Sequence, residues 1–156
     1  MSQTTPFIAR PLSVSDAGEL LTLQRAAYAS EAQIYRDPFL PALTQTLDEL
    51  RRELAAPGLG IRDDGRLIGA VRWTVDGDTA HIGRLVVAPD LQGRGIGTTL
   101  LREAERTSGA QHFELFTGHL SQANIRLYER EGYSRARQVT LHPGVELVYL
   151  QKTSNR

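Results

Sequence analysis

The chain has 156 residues, a length that fits one domain and is sufficient to bury a hydrophobic core. Hydrophobic residues make up 40% of it and charged residues 23%, as in ordinary soluble globular proteins. The 18 basic residues balance the 18 acidic ones, so no global electrostatic attraction draws the chain to nucleic acid or to an anionic membrane, and neither is expected as a partner.

The chain contains no cysteine, which excludes disulfides, thiolate metal sites and a cysteine nucleophile. The first residues, MSQTTPFIARPLS, lack a basic segment followed by an apolar stretch. No window approaches the roughly 18 apolar residues that a membrane-spanning helix needs. We therefore expect no signal peptide, no membrane span, no metal and a cytoplasmic location.

The first part of the chain predicts one strand and two helices. FIARPL (residues 7–12) is a short strand candidate. SVSDAGELLTLQRAAYASEA (residues 13–32) offers a serine N-cap, an acidic first turn and apolar residues at helical spacing. Two prolines in IYRDPFLPALTQ (residues 34–45) should break that helix, and TLDELRRELAA (residues 46–56) predicts a second one that stops at Pro57-Gly58.

After residue 58 the apolar residues recur with the spacing of β-strands instead of helices. Residues 59–89 predict an antiparallel meander of three strands, with turns at Asp63-Asp64-Gly65 and Asp76-Gly77-Asp78. A helix ended by Gly109, a strand, a second helix ended by Gly132 and a terminal hairpin turning at Pro143-Gly144 complete the chain. The predicted order is β-α-α-β-β-β-α-β-α-β-β, a mixed α/β sheet with helices against it.

The stretch LVVAPDLQGRGIGTTLL (residues 85–101) places three glycines between a strand and the start of a helix. Amides at a helix N-terminus lack intrahelical partners and carry the positive end of the helix dipole, so they favour phosphate. Glycines let such a ligand approach the backbone. The segment predicts a small anion cradle, or in the alternative only a tight turn. Its members are Gln92, Gly93, Arg94, Gly95, Ile96, Gly97 and Thr98.

Two common phosphate-binding motifs do not fit this segment. A Walker loop requires Gly-Lys followed by Ser or Thr, and the only lysine of the chain is Lys152. A Rossmann fingerprint that begins at Gly93 requires a third glycine where Thr98 stands. It also requires a parallel βαβ unit, whereas this strand ends an antiparallel meander.

The pattern V-x-P-x-x-Q-G-R-G-I-G-x-x-L-L resembles motif A of the GNAT superfamily of acetyl-CoA-dependent N-acetyltransferases, whose core is met by Gln92, Gly95 and Gly97. NIRLYEREGY (residues 124–133) is similar to motif B of that family. The order of elements also matches, so the resemblance covers essentially the full length. It implies a single three-layer domain over residues 1–156, with helices on both faces of a mostly antiparallel, twisted sheet of six to seven strands.

The resemblance implies acetyl-CoA as the acyl donor, with the pyrophosphate of coenzyme A resting on the amides of residues 92–98. The pantetheine arm would pair with the backbone of Leu85, Val86 and Val87. One amide of that strand would polarise the thioester carbonyl, as an oxyanion hole does. Tyr128 falls on the motif B tyrosine, which contacts the cofactor near its sulfur and protonates the leaving thiolate. The alternative for Tyr128 is a helix tyrosine packed on the sheet.

Two positions depart from the family's pattern. An asparagine often precedes the motif B tyrosine by seven residues, but Ser121 stands there and is interpreted as a helix N-cap. Asn124, one turn later, is then a candidate cofactor contact. The strand glutamate that serves some members as general base corresponds closely to Gly83, which cannot act.

Three residues are candidates for the missing base. His81 lies two residues before that glycine, so its side chain should point to the same face of the sheet. Histidine has an ordinary pKa of about 6.5, so His81 can accept a proton through water. Glu114, on the neighbouring strand, and Glu31 are the others, unless a water path alone removes the proton.

The resemblance places the acceptor in a cleft walled by the first two helices and their connection, YASEAQIYRDPFLPALTQT (residues 28–46). Its aromatic and acidic side chains suit a cationic amine with an apolar body, although they can equally be core and solvated residues. The candidates for substrate binding are Tyr28, Glu31 and Tyr35. The acceptor stays open between amino acids, polyamines, aminoglycosides and peptide N-termini.

The resemblance therefore implies an enzyme that transfers an acetyl group from acetyl-CoA to a primary amine of a small molecule or peptide, by direct attack in a ternary complex. The alternative is a non-catalytic module that binds acyl-CoA as a sensor or scaffold. A different acyl donor is a third possibility. A homodimer formed through the edge of the hairpin at residues 137–149 is a further expectation.

Overall fold

A computed structural model describes residues 7–155 of the chain. The expectation that no targeting segment begins the chain falls partly on residues outside this range. The described residues contain no helix that is long and apolar enough to cross a membrane. The cytoplasmic location stays a prediction.

Seven strands form one sheet in the spatial order β1-β2-β3-β4-β5-β7-β6. All neighbouring pairs are antiparallel except β4 and β5, which are parallel. This confirms the predicted mixed, mostly antiparallel sheet. The strands are β1 (Ala9–Pro11), β2 (Gly58–Asp63), β3 (Arg66–Asp76), β4 (Thr79–Val87), β5 (His112–Gly118), β6 (Ser134–His142) and β7 (Val145–Thr153).

The hairpin turns form where the sequence predicts them. Asp64 and Gly65 join β2 to β3 with φ values of 50° and 81°. Two positive φ values are what a tight hairpin turn needs, and Asp-Gly is a preferred pair for it. Gly77 (φ 62°) and Gly144 (φ 85°) serve the other two hairpins. β6 forms an edge of the sheet and is exposed along its length, and a homodimer through it stays a prediction.

The described residues form five α-helices, one more than the sequence predicts. The additional helix is only four residues long and begins at Pro41, because proline lacks an N–H and suits the first helical position. Thr46 and Glu49 form a reciprocal capping box at the start of the next helix. The helices are α1 (Ala17–Tyr35), α2 (Pro41–Thr44), α3 (Leu47–Glu53), α4 (Ile96–Ser108) and α5 (Gln122–Arg130).

α1 and α4 cover opposite faces of the sheet, as β3 shows. The side chain of Arg72 donates to Gln24 of α1 at 3.3 Å. Gly69 faces α4, where a Cβ atom would lie 2.7 Å from Ile96 and 2.9 Å from Leu100. Residues at odd and even positions of a strand point to opposite faces. The sheet is therefore the middle layer of three, as predicted, and Gly69 lets α4 pack closely against it.

Candidate functional site

The centre of the sheet opens into a fork between β4 and β5. The two strands pair only at Thr79–His81 and His112–Glu114. Beyond these residues β4 continues to Val87 beside β3, and β5 continues to Gly118 beside β7, without pairing to each other. Backbone N–H and C=O groups on the two inner edges are therefore available to a ligand that enters the fork.

A bulge in β4 coincides with the start of the fork. Ala70 pairs with Val86, whereas Arg72 pairs with Gly83, so β4 carries one extra residue in this interval. Arg84 lies within it and has a φ of 52°, unusual for a residue other than glycine. Bulges bend the strand that contains them and increase its twist. The bulge thus bends β4 where it parts from β5.

The predicted anion cradle follows β4 after a short turn at Pro89–Leu91. α4 begins at Ile96, and Gly95 is its N-cap residue. Gly93 and Gly95 have φ values of 79° and 82°, and beyond each glycine and its chain neighbours no described heavy atom lies within 4 Å of the Cβ position. Open space therefore adjoins the amides at the N-terminus of α4, an arrangement that can hold a phosphate group.

Some side chains of the cradle pack against or bond to the rest of the protein, and others are exposed to solvent. Ile96 is 1% exposed and packs in the core, so only its backbone can meet a ligand. Gln92 donates to the Val87 carbonyl at 3.2 Å and so ties the loop to the end of β4. Arg94 is exposed, and Thr98 is half-buried in the first turn of α4. The loop thus offers one positive side chain and a row of amides.

A two-point ion pair holds the turn before the cradle. Both guanidinium nitrogens of Arg66 donate to the Asp90 carboxylate at 2.8 Å. The hydrogen bonds from Arg66 lower the pKa of Asp90 to about 2. The carboxylate thus stays charged across the neutral range, and β3 stays linked to the turn at Pro89–Leu91.

α5 lies across the open end of the fork. Asn124 donates to the Thr117 hydroxyl of β5 at 3.3 Å. Leu127 packs towards Gly97 of α4, with its Cδ2 atom 3.6 Å from that glycine's Cβ position. The Asn124 amide, a candidate cofactor contact, is therefore already bonded to the protein, and α5 bridges the two sides of the fork.

Tyr128 of α5 has a buried ring, 7% exposed, and none of the described residues forms a hydrogen bond with its hydroxyl. Every fully enclosed polar side-chain atom in the described chain has a partner, so this hydroxyl reaches open space. Burial raises the pKa of the Tyr128 phenol far above its ordinary range, and Tyr28 and Glu31 raise it further. The phenol is therefore neutral in ordinary buffers and can donate a proton towards α1.

His81 and Glu114 meet at the vertex of the fork, where they are partners in the sheet register. The Nδ1 atom of His81 lies 3.7 Å from the Oε1 atom of Glu114. The carboxylate also accepts from Arg137 at 3.4 Å and from Gln151 at 2.8 Å. The structure therefore brings two of the candidate bases together and surrounds Glu114 with donors.

The sheet register also shows which face carries His81. Gly83 pairs with Arg72, whose side chain meets α1. His81 lies two residues before Gly83, so strand alternation puts it on the same face. The base candidates therefore lie on the side of the sheet that α1 covers.

The predicted acceptor residues lie on the second half of α1, and two of them are linked to Ser121. The Tyr35 hydroxyl lies 2.8 Å from the Ser121 Oγ atom and accepts from the Leu120 amide at 3.0 Å. Ser121 in turn donates to the Glu31 carboxylate at 2.5 Å. Ser121 occupies the N-cap position of α5, but its side chain makes no capping bond. It ties α1 to α5 instead.

The connection that follows α1 contributes few contacts to the predicted acceptor residues. Phe39 is 76% exposed, and its amide donates to the Asp37 carboxylate at 2.9 Å. Asp37 therefore stabilises its own turn. The described part of the predicted acceptor side therefore consists mainly of α1 and the sheet beneath it.

Two arginines beneath α1 are missed by the sequence analysis. Arg72 is 7% exposed and donates to Glu53 at 2.9 Å. Arg84 places its Cζ atom 5.9 Å from the centre of the Tyr28 ring. The only sequence signal is a basic residue within each of two largely apolar strands. Among the described residues, no group of three or more histidine, aspartate or glutamate side chains forms a metal site.

The profile of the Acetyltransferase (GNAT) family matches residues 24–133. The UPF0157 protein YqkA of Bacillus subtilis is 30% identical over 132 residues, 84% of this chain and 38% of the relative. The mycothiol acetyltransferase of Nocardiopsis dassonvillei is 28% identical over 140 residues, 86% of this chain and 40% of the relative. The chain thus spans about two-fifths of the length of these curated relatives.

Solved structures share the fold. The PaiA N-acetyltransferase from Thermoplasma acidophilum in complex with coenzyme A has a TM-score of 0.79 at 19% identity, covering 96% of this chain and all (100%) of that one. YncA from Salmonella typhimurium with its cofactor acetyl-CoA has a TM-score of 0.74 at 17% identity, covering 96% and 94%. The ribosomal-protein-alanine N-acetyltransferase from Brucella melitensis has a TM-score of 0.72 at 20% identity, covering 94% and 99%.

Proposed function

The chain belongs to the acetyltransferase (GNAT) family, and from this premise we propose that it transfers the acetyl group of acetyl-CoA to a primary amine by direct attack in a ternary complex. The fork between β4 and β5, with the glycine loop at one end and Tyr128 across it, carries this proposal. The structural neighbours that contain coenzyme A or acetyl-CoA support it.

The donor is proposed to enter the fork along β4. The backbone of Leu85, Val86 and Val87 lies on the inner edge that β5 leaves unpaired. It would pair with the pantetheine amides and aim one N–H at the thioester carbonyl. The amides of residues 92–98 and the Arg94 side chain would hold the pyrophosphate.

The proposed reaction forms one C–N bond and breaks one C–S bond. The amine nitrogen attacks the thioester carbonyl carbon, and the backbone N–H stabilises the oxyanion that develops. When the C–O double bond re-forms, the thiolate of coenzyme A leaves. Tyr128, whose phenol is protonated at neutral pH, supplies the proton that converts this thiolate to a thiol. The phenolate then regains a proton through solvent, to which the proton of the amine is released.

The amine loses one proton in the same cycle. We assign its removal, through water, to His81. Glu114 already accepts hydrogen bonds from Arg137 and Gln151. We therefore propose that Glu114 orients the His81 ring and does not itself take the proton. Because Nδ1 of His81 faces Glu114, the Nε2 atom is left to accept the proton. Glu31, next to Tyr128, is the remaining candidate.

The test follows free thiol release from acetyl-CoA over a panel of primary amines. The wild type should turn over at least one amine. Tyr128→Phe should lower kcat about 10²- to 10⁴-fold, the usual contribution of general acid–base catalysis, with acetyl-CoA binding retained. Tyr149→Phe, which changes a tyrosine on β7, is the matched control. Tight acetyl-CoA binding without turnover on any amine would favour the sensor or scaffold alternative.

A further inference from the structure

Arg84 differs from the other described arginines in its surroundings. All of them except Arg72 and Arg84 are largely exposed to solvent. Arg72 is buried but forms an ion pair with Glu53 at 2.9 Å. Arg84 is half-buried, and no described carboxylate lies within ion-pair distance of it; its guanidinium lies over the Tyr28 ring. A shielded cation without an anionic partner is costly, unless a ligand supplies the anion.

The charge beneath α1 is positive in excess. Burial lowers the pKa of Arg72, Glu53 opposes this effect, and the nearby charge of Arg84 adds to it. Two guanidinium groups are thus near enough to repel each other, and Glu53 forms an ion pair with only one of them, Arg72. The Tyr28 ring supports Arg84 from one side by a cation–π contact. Arg84 itself has no ion-pair partner among the described residues, so its guanidinium can receive the negative group of a ligand.

A carboxylate lies on the other side of Tyr28. Glu31 is three residues further along α1, so the two side chains are neighbours on one face of the helix. Glu31 is half-buried and accepts from Ser121, but no described cation pairs with it. It is also close enough to Tyr128 to affect that phenol's ionisation. A negative group thus lies on the helix face that carries Tyr28, where it is linked to the start of α5, and a positive group lies in the bulge on the other side of the Tyr28 ring.

We propose that the acceptor is a small zwitterion of the amino-acid class, whose carboxylate pairs with Arg84 and whose amine is held by Glu31 beside Tyr128. This inference rests on the proposed function and names the substrate class of that site. A guanidinium can donate two parallel hydrogen bonds to one carboxylate, which fixes orientation as well as position. The acceptor's amine then faces the donor while its carboxylate stays at β4.

The experiment compares free amino acids with their carboxamides, which keep the amine and lose the negative charge. Binding of the twenty proteinogenic amino acids and their amides to the protein with coenzyme A is measured by calorimetry, and thiol release from acetyl-CoA is measured in parallel. At least one amino acid should bind about 10- to 100-fold more tightly than its amide, the range expected for a charge-assisted pair.

The variant Arg84→Gln should abolish the preference for the acid over the amide and leave the KM for acetyl-CoA unchanged. Arg84→Lys should retain part of the preference, because it keeps the charge but not the two-point geometry. Arg10→Gln removes a charge from β1, at the far edge of the sheet, and is the matched control. The melting temperature of each variant checks that it folds.

Several results would overturn the inference. Amides that bind as tightly as acids, or no binding of any amino acid, would contradict a zwitterion site while leaving acetyl transfer to other amines intact. A raised KM for acetyl-CoA in Arg84→Gln with an unchanged acid preference would assign Arg84 to the donor. Acid-selective binding that depends on Arg84, but without thiol release, would support the acceptor site and contradict the proposed function instead.

Discussion

The hydroxyl of Tyr35 occupies the space that a side chain on Gly118 would need, since a Cβ atom built there would lie 2.0 Å from it. The same hydroxyl bonds to Ser121 and to the Leu120 amide. The end of α1 is therefore fastened to the end of β5 and the start of α5. This link lies at the side of the fork where we propose that the acceptor binds.

Gly118→Ala should displace Tyr35 and loosen that link. We expect the free energy of unfolding to fall by about 1–3 kcal/mol, as for other overpacked sites, and the KM for the acceptor to rise more than that for acetyl-CoA. Denaturant unfolding and steady-state kinetics measure the two effects. In a Tyr35→Ala background the alanine at Gly118 should cost little more. Strictly additive effects of the two changes would contradict the contact.

Tyr128 should make the protein sensitive to alkali. Its folded pKa is raised, so above the ordinary tyrosine pKa of about 10 the unfolded chain ionises while the folded one stays neutral. The stabilisation is complete below that pH and is lost as the pH rises towards the folded pKa. Urea unfolding at about pH 9 and about pH 11 should therefore show a smaller loss for Tyr128→Phe than for the wild type.

Tyr133 limits the size of this effect, because burial and Glu105 raise its pKa as well. The loss of stability that Tyr128→Phe shows at alkaline pH should therefore be smaller than that of the wild type, but not zero. Tyr149→Phe serves as the control with a half-exposed ring. An identical alkaline loss in the wild type and in Tyr128→Phe would show that the Tyr128 phenol is not shielded.

Two glycines of the cradle should respond differently to alanine. Gly95 has a φ of 82°, so Gly95→Ala should cost about 1–2 kcal/mol of backbone strain and raise the KM for acetyl-CoA. Gly97 is inside α4, and its Cβ atom would meet Leu127 and Val87 at 3.6 and 3.7 Å, ordinary contact distances. Gly97→Ala should therefore leave the melting temperature unchanged or slightly raised. Equal effects of the two variants on stability would contradict the loop conformation.

Gly69 should be required for the packing of α4. A Cβ atom there would lie 2.7 Å from Ile96, so Gly69→Ala should push α4 from the sheet and destabilise the fold by about 1–3 kcal/mol. Gly18→Ala is the control, because nothing lies within 4 Å of that Cβ position and alanine favours a helix. Thermal unfolding of both variants is the measurement, and a tolerated Gly69→Ala would refute the close packing.

The sequence predicts the elements whose signals are local. The Asp64-Gly65 turn and the glycine end of α4 at Gly109 are specified by residues adjacent in the chain, and both form as predicted. α2 is missed because prolines are read as helix breakers, whereas Pro41 begins a helix. Its four residues are also too few to show a periodic pattern.

The candidate site depends more on distant contacts. Ser121 has the right position for an N-cap, but its side chain bonds to Glu31, 90 residues away in the chain. The proposed role of Arg84 depends on a bulge in the pairing of β4 with β3, located where β4 parts from β5. No local pattern of residues encodes either fact.

The most direct test of acetyl transfer is mass spectrometry of the acceptor after incubation with acetyl-CoA labelled with deuterium in its acetyl group. We expect one labelled acetyl group on the amine of the acceptor for each thiol released, with both products strongly reduced in Tyr128→Phe. Thiol release without labelled amine, or bound acetyl-CoA that stays intact with every amine, would contradict acetyl transfer.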